Sequence, residues 1–202
     1  MAQRGNPFLV VPENSSQSLS DDNGGLDTAA LYYGPTSPEE ITVAADPVAA
    51  PWPQTTVTDF RQVTVFGLHG GAGATTVASL FGDDAVDAGT GWPVAGGWTR
   101  PLPTLHVLAV ARTHYAGLAA AEVFTHQWAA GLLPSSTLLG LVLVDDGPTL
   151  TEGQKKAVKR LLRKVPRGAH LPWNEAWRHL PPDPDRLPRR LTKIIHAFRT
   201  PR

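Results

Sequence analysis

The sequence predicts an α/β fold with a doubly wound, mostly parallel sheet, preceded by a long disordered N-terminal segment. From residue 59 onward, apolar runs typical of strands covered on both faces alternate with amphipathic helical patterns. Right-handed crossovers then place helices on both faces of the sheet. The first 58 residues are rich in Ser, Asp, Asn, Gly and Pro, so they bury too little apolar area to offset their ordering entropy. We therefore expect a disordered tail over 1–58 and one folded domain over 59–202.

Each element of the folded domain follows from a local pattern of apolar and turn-forming residues. Strands are predicted for the runs 62–68, 104–112 and 138–147, with shorter strands at 85–88 and 168–173. Helices are predicted for 74–81, 114–131, 150–165 and 189–198. Gly131 is expected to end the second helix and Thr151 to cap the third. The rest of the segment 82–103 is dense in turn formers, so we expect turns there.

Two apolar islands, Phe8–Val11 and Ala30–Tyr33, lie within the predicted tail. Each is interpreted either as a short docking motif or as an inert cluster.

The composition excludes several classes of protein. The chain has no cysteine, which excludes disulfides and cysteine metal sites and fits a cytoplasmic protein. No apolar run reaches the length of about 18 residues that a membrane span needs, and the first residues lack the apolar stretch of a secretory signal. The seven histidines show no HxH or HExxH spacing, so no metal site is predicted from them.

Charge is divided unevenly along the chain, although its net value is zero. Residues 1–150 hold 4 basic and 14 acidic side chains, whereas residues 151–202 hold 14 basic and 4 acidic ones. The third predicted helix carries a basic stripe formed by Lys155, Lys156, Lys159, Arg160, Arg163 and Lys164. Such a stripe contacts nucleic-acid phosphates or an acidic protein partner, or it is only a solvated face. Aromatic residues are not interleaved with it, so base-specific readout has no support.

A glycine-rich turn, LHGGAGATT over 68–76, joins the first predicted strand to its helix. Successive glycines let backbone N–H groups converge on an anion. The candidate contacts are Gly70, Gly71, Gly73, Ala74, Thr75 and Thr76. A lysine normally reaches the outer phosphates in such loops, and none lies in this one. The turn is therefore a weak anion site or only a tight strand-to-helix connection.

The turn resembles the deviant Walker A loop of the MinD/ParA family of P-loop ATPases, in which two lysines flank the glycines and a Thr or Ser follows. By that resemblance, His69 stands at the position of the signature lysine and Ala74 at that of the phosphate-binding lysine. Thr75 matches the hydroxyl that binds Mg²⁺, and Thr76 matches the next phosphate contact. Weaker similarity extends over about 60–200 and implies a P-loop NTPase-like fold.

The chain departs from this family where the family carries its catalytic acids. Only the turn-rich segment separates the loop from the next long strand, and Asp87 is the one candidate within it for the acid at the end of the second strand. No apolar strand ending in aspartate stands where the Walker B strand is expected. Because phosphoryl transfer depends on charge at the phosphates, we expect little or no ATP hydrolysis. No cofactor is required by this interpretation, and ATP with Mg²⁺ is expected to bind weakly at most.

Five further positions have two interpretations each. His69 is a titratable substitute for the signature lysine or a polar loop residue. Asp145 and Asp146 lie near the end of the predicted strand 138–147 and bind a metal ion or cap the next loop. Trp173 and Trp177 are interpreted as packing residues rather than a stacking platform.

Three functions remain compatible with the sequence. The first is a non-catalytic adaptor or regulatory subunit, for which the resemblance implies a protein partner in secretion, conjugation or partition machinery and a homodimer. The second is a switch that binds ATP and Mg²⁺, with residual activity or with a lysine or arginine supplied from elsewhere, such as a partner subunit. The third is a nucleic-acid binder that uses the basic C-terminal half.

Overall fold

The computed structural model describes residues 28–38, 52–98 and 100–199. The strands of the described residues are Ala30–Tyr33 (β1), Gln54–Val57 (β2), Val63–Gly67 (β3), Ala85–Asp87 (β4), Trp92–Ala95 (β5), Leu105–Arg112 (β6), Ser136–Val144 (β7) and Arg167–Leu171 (β8). The α-helices are Ala74–Ser79 (α1), Tyr115–Ala129 (α2), Glu152–Leu162 (α3) and Arg189–Arg199 (α4). Short 3₁₀ turns cover Gly82–Asp84, Glu175–Arg178 and Pro184–Arg186.

Six strands form one mixed sheet in the order β1-β8-β7-β6-β3-β4. Neighbouring strands run parallel except for β1, which lies antiparallel on the edge of β8. The predicted α/β class and mostly parallel sheet are thus confirmed. From β3 the chain proceeds to β4 at one edge of the sheet. It then returns to the other side of β3 and proceeds through β6 and β7 to β8 in the opposite direction. The order therefore reverses between β3 and β6, and the loops after these two strands diverge there.

Helices cover both faces of this sheet. Residues of α1 and α4 pack on one face, around Val65, Val110 and Val142. Residues of α2 and α3 pack on the other face, around Phe66, Ala109 and Leu141. The apolar runs that predict β3, β6 and β7 therefore bury side chains in two separate cores, as parallel strands between helices do.

Capping interactions fix where the long helices begin and end. The predicted N-cap Thr151 is confirmed, because its Oγ1 accepts from the Gln154 N–H at 3.3 Å while Gln154 Oε1 accepts from the Thr151 N–H at 2.9 Å. Helix α2 begins after His114, whose Nδ1 accepts from the Gly117 N–H at 3.0 Å. Gly131 follows the C-cap of α2 with φ of 70°, the left-handed conformation that ends helices.

The predicted disorder of residues 1–58 and the domain boundary at residue 59 are wrong for two described segments. The island Ala30–Tyr33 is neither a docking motif nor inert, since it is strand β1, and Tyr32 contacts Arg163 through its ring. Strand β2 pairs in parallel with β5 in a second, two-stranded sheet. Strands of four residues are too short to show a clear alternation of apolar and polar residues. Their hydrogen bonds come from strands that are distant in the sequence, so the local sequence does not predict them. The island Phe8–Val11 lies outside the described residues.

The segment predicted as turns contains an additional strand. The short strand at 85–88 is confirmed as β4, whereas β5 was not predicted. Its Trp92 is 1% exposed, and the ring packs edge-on against Phe66 at 5.7 Å between centroids. The Trp92 Nε1–H donates to the carbonyl of Pro134 at 2.8 Å. Burial of one aromatic side chain therefore orders a segment whose local sequence favours turns.

None of the helices in the described ranges is long and apolar enough to cross a membrane.

Candidate functional site

A cleft of about 410 Å³ opens at the carboxyl ends of the parallel strands. In doubly wound sheets this edge, where the strand order reverses, is the usual ligand site. Four strands contribute through the residues that follow them, from the glycine loop after β3 to the segment after β8. The lining residues are Gly71, Thr76, Arg112, His114, Val144, Asp145, Asp146, Pro172, Trp173, Asn174, Trp177 and Arg178.

The glycine loop forms one end of this cleft. Gly71 and Gly73 have φ of 74° and 92°, a conformation that side chains disfavour, which explains the glycines at these positions. Ala72 donates its N–H to the carbonyl of His69 at 3.2 Å, which closes the turn. Within the described part of the chain, the amides of Gly71, Gly73 and Ala74 donate to no acceptor. These groups are available to an anion at the predicted position.

Thr75 and Asp87 are brought together beside the loop. Thr75 Oγ1 donates to Asp87 Oδ2 at 2.6 Å, and Asp87 Oδ1 accepts from the Gly89 N–H at 2.9 Å. Asp87 ends β4, the strand that pairs with the loop-bearing strand β3. Asp87 thus lies at the end of the strand that follows the loop along the chain, the position for which the sequence made it the candidate. Strand β4 has three residues, which is too short to read as an apolar run.

Arg112 brings a cation to the loop from the end of β6. Its Nη1 donates to the carbonyl oxygen of Asp145 at 2.8 Å. A Cβ placed on Gly73 would lie 3.5 Å from Arg112 Nη2, so the guanidinium lies against the loop backbone. Gly73 immediately precedes Ala74, where the sequence lacks a lysine. The cleft therefore contains a positive charge that the loop sequence does not reveal.

His69 is a polar residue of the loop, and its two ring nitrogens connect the loop to the end of β6. Its Nε2 accepts from the backbone N–H of Arg112 at 3.1 Å. Its Nδ1 lies 2.9 Å from the carbonyl oxygen of Gly70, which only an N–H can satisfy. Both contacts together require the neutral imidazole with its proton on Nδ1. A protonated His69 would set N–H against N–H at Arg112, so this geometry opposes a role as a charged lysine substitute.

Asp145 and Asp146 line the cleft, but their carboxylates already have partners. Asp145 Oδ1 lies 2.9 Å from His170 Nε2, and Asp146 Oδ1 accepts from Thr113 Oγ1 at 3.0 Å. Thr113 Oγ1 also lies 3.2 Å from Asp145 Oδ1, and its single proton serves one carboxylate at a time. Among the described residues, no group of three or more His, Cys, Asp or Glu is arranged to hold a metal ion. The pair fastens the ends of β6, β7 and β8 to one another.

The opposite end of the cleft is aromatic. The Trp173 Nε1–H donates to Glu175 Oε2 at 2.9 Å, and the Arg178 guanidinium lies 5.9 Å from the centre of the indole ring. Arg178 Nη1 also donates to Glu175 Oε1 at 3.0 Å. These hydrogen bonds, with a smaller effect of the Arg178 charge, hold the pKa of Glu175 below its usual value. Both tryptophans line the cleft, but Trp177 also packs against the core as predicted.

The basic stripe of α3 is partly neutralised within the protein. Lys155 pairs with Glu152 at 2.8 Å, and Arg160 pairs with Glu122 of α2 at 2.8 Å. Lys164 binds the same Glu122 carboxylate. Arg163 lies over the Tyr32 ring, which leaves Lys156 and Lys159 as the members of the stripe without a described partner. The structure thus favours a solvated, paired face over a phosphate-binding one.

Arg112 and His114 line the cleft although the sequence did not predict them as site residues, and Trp173 lines it although it was predicted to pack. Arg112 ends the run 104–112, and it is one of four basic residues in the first 150. A polar residue directly after a buried parallel strand is a signal for the site edge, and it applies to Arg112 as well as to the aspartates. Trp173 has no comparable signal, because its position depends on the 3₁₀ turn after β8.

The fold and cleft define a doubly wound α/β protein with a polar site at the carboxyl edge of its sheet. The chain belongs to a family of unknown function, DUF6668, whose family model matches residues 61–195. No curated protein matches the sequence, and no solved structure matches the chain.

Proposed function

We propose that this protein binds a nucleoside polyphosphate together with Mg²⁺ in the cleft, with little or no hydrolysis, and that the bound ligand regulates contact with a partner protein. The observation that carries the proposal is the hydrogen bond of 2.6 Å between Thr75 and Asp87 beside the glycine loop. P-loop NTPases hold Mg²⁺ with the loop hydroxyl and an aspartate on a neighbouring strand. Thr75 and Asp87 fit that donor set in residue type and position.

Two more features support a nucleotide over a simple anion. The loop end of the cleft offers unpaired amides and the Arg112 guanidinium, which suit phosphate oxygens. The far end offers the indole of Trp173, which suits a planar base. The difference between the two ends of the cleft supports the nucleotide-binding switch over an adaptor that never binds a ligand, with Arg112 of the same chain as the proposed arginine.

The proposed lack of hydrolysis is supported by the hydrogen bonds that the carboxylates of Asp145 and Asp146 make within the protein. Asp145 is buried and lies 2.9 Å from His170, and Asp146 accepts a hydrogen bond from Thr113, so each carboxylate already has a partner within the protein. These contacts support a structural role for the two acids rather than a role in orienting an attacking water.

Calorimetric titration with ATP tests the proposal. We expect micromolar binding in the presence of Mg²⁺ and weaker binding in EDTA, since Thr75 and Asp87 would hold the ion and its charge would offset that of the phosphates. Absence of heat up to millimolar ATP would overturn nucleotide binding. Steady phosphate release at ordinary enzyme rates, abolished by Thr75→Ala, would overturn the non-hydrolysing part alone.

A further inference from the structure

We propose that Arg112 supplies, from within the same chain, the cationic phosphate contact that the glycine loop lacks, an inference that rests on the proposed function. No lysine lies in the loop between Leu68 and Thr76. Two arginines, Arg112 and Arg178, are among the described residues that line the cleft. Arg178 lies at the aromatic end, over Trp173, so Arg112 is the arginine at the phosphate end.

The register of the sheet places Arg112 at the loop. Gly67, the last residue of β3, pairs with Val110, so β6 extends two residues past the point where the loop begins. Alternation along β6 directs Arg112 to the same face as Val110, the face on which α1 packs. As a result, Arg112 Nη2 and Nε lie 3.5 and 3.6 Å from the position of a Cβ on Gly73. The guanidinium thus occupies the space in front of the loop.

The guanidinium has donors and charge to offer. Its Nη1 donates to the carbonyl of Asp145, whereas Nε and Nη2 have no acceptor in the described part of the chain. No described carboxylate lies within 4.0 Å of it, although Asp145 and Asp146 line the same cleft. A half-buried cation without a counterion is unfavourable by itself and is stabilised by a bound anion. The planar fork of an arginine suits two phosphate oxygens at once.

His69, which stands at the position that the resemblance gives to the signature lysine, holds Arg112 in place. Its neutral imidazole accepts the Arg112 N–H and donates to the Gly70 carbonyl, so it joins the end of β6 to the loop. The two positions are therefore linked. His69, which the resemblance aligns with the signature lysine, holds the backbone of Arg112, which is proposed to act in place of the second lysine. His69 is a positioning residue in this arrangement, and Arg112 makes the contact.

Titration with inorganic tripolyphosphate, which has no base, tests the role of Arg112 directly. Arg112→Gln should weaken binding about tenfold to a hundredfold, the loss expected for one charge-assisted hydrogen bond. Arg112→Lys, which keeps the charge, should retain more of the affinity than Arg112→Gln. Arg190→Gln, which changes an exposed arginine of α4 outside the cleft lining, is the control and should bind tripolyphosphate as the wild type does.

A second measurement uses the wild type, so its outcome does not depend on whether a substituted protein folds. Phenylglyoxal modification of the wild type, mapped by mass spectrometry, should show Arg112 protected by tripolyphosphate and Arg178 unprotected. Equal binding by wild type and Arg112→Gln, or unprotected Arg112 at saturating tripolyphosphate, would overturn the role of Arg112 and leave the proposed function standing. A wild type that binds neither tripolyphosphate nor ATP would overturn both.

Discussion

Arg160 of α3 lies 2.8 Å from Glu122 of α2, and this pair joins the two helices that cover one face of the sheet. Lys164 contacts the same carboxylate, so two cations share one acid. Burial acts to raise the pKa of Glu122, but Lys164 and Arg160 together outweigh it and hold the pKa below its ordinary value of 4.5. The basic stripe thus serves, in part, to attach α3 to α2.

The lowered pKa of Glu122 predicts a change of stability in acid. The contribution of this carboxylate is present above its unfolded-state pKa and is lost as the pH falls through the lower folded-state pKa. We expect Glu122→Gln to reduce the free energy of unfolding at neutral pH by no more than about 1 kcal/mol, because the side chain is partly exposed and solvent screens the pair. Urea unfolding of both proteins at several pH values measures the difference.

In that series the difference between wild type and Glu122→Gln should shrink below about pH 4.5. Glu152→Gln is the matched control, since Glu152 pairs with Lys155 on a single helix and its side chain is 79% exposed. A difference for Glu122→Gln that is constant with pH would contradict the electrostatic origin.

Trp173 is predicted to discriminate nucleotides from base-free phosphates. Stacking on an aromatic side chain contributes about 1–3 kcal/mol per base, so Trp173→Ala should weaken ATP binding by roughly fivefold to a hundredfold. Tripolyphosphate binding should be unchanged, because the indole lies at the end of the cleft away from the loop. Calorimetry with both ligands makes the comparison, and an equal loss for both would show that Trp173 only maintains the shape of the cleft.

Asp87 is predicted to couple Mg²⁺ to nucleotide binding. Asp87→Asn keeps a side-chain oxygen for Thr75 but removes the negative charge that a divalent cation needs. We expect its ATP affinity in EDTA to equal that of the wild type, while the gain on adding Mg²⁺ disappears. Asp83→Asn, an exposed acid in the adjacent 3₁₀ turn, is the control. Full Mg²⁺ dependence in Asp87→Asn would remove Asp87 from the metal site.

Gly117 in the first turn of α2 is predicted to be intolerant of any side chain. A Cβ there would clash with the carbonyl oxygen of Arg112 and lie 3.0 Å from His69 Nε2. Gly117→Ala should therefore lower the free energy of unfolding by about 1–3 kcal/mol, the usual cost of overpacking. Gly153→Ala, in the first turn of α3, meets nothing closer than 4.0 Å and should be neutral or stabilising. Thermal melts compare the two, and equal effects would exclude the clash.

Patterns within single segments predicted much of the fold. The apolar runs predicted β3, β6 and β7, and Thr151 was assigned correctly as the cap of α3 because its hydrogen bonds reach only to Gln154. Strands β1 and β5 were not predicted, since their stability comes from β8 and from the aromatic contact of Trp92 with Phe66. Pairing across long separations in sequence leaves no local period to detect.

The candidate site divides in the same way. Gly71 and Gly73 mark the turn in the sequence alone, and both adopt positive φ, a backbone conformation that other residues disfavour. The loop sequence also shows that its lysines are missing. Only the tertiary structure brings Asp87 to Thr75 and Arg112 to Gly73, since parallel register aligns the ends of β4, β3 and β6 along one edge. The sequence by itself determined the loop and its backbone chemistry, whereas strand pairing decided which charges lie beside it.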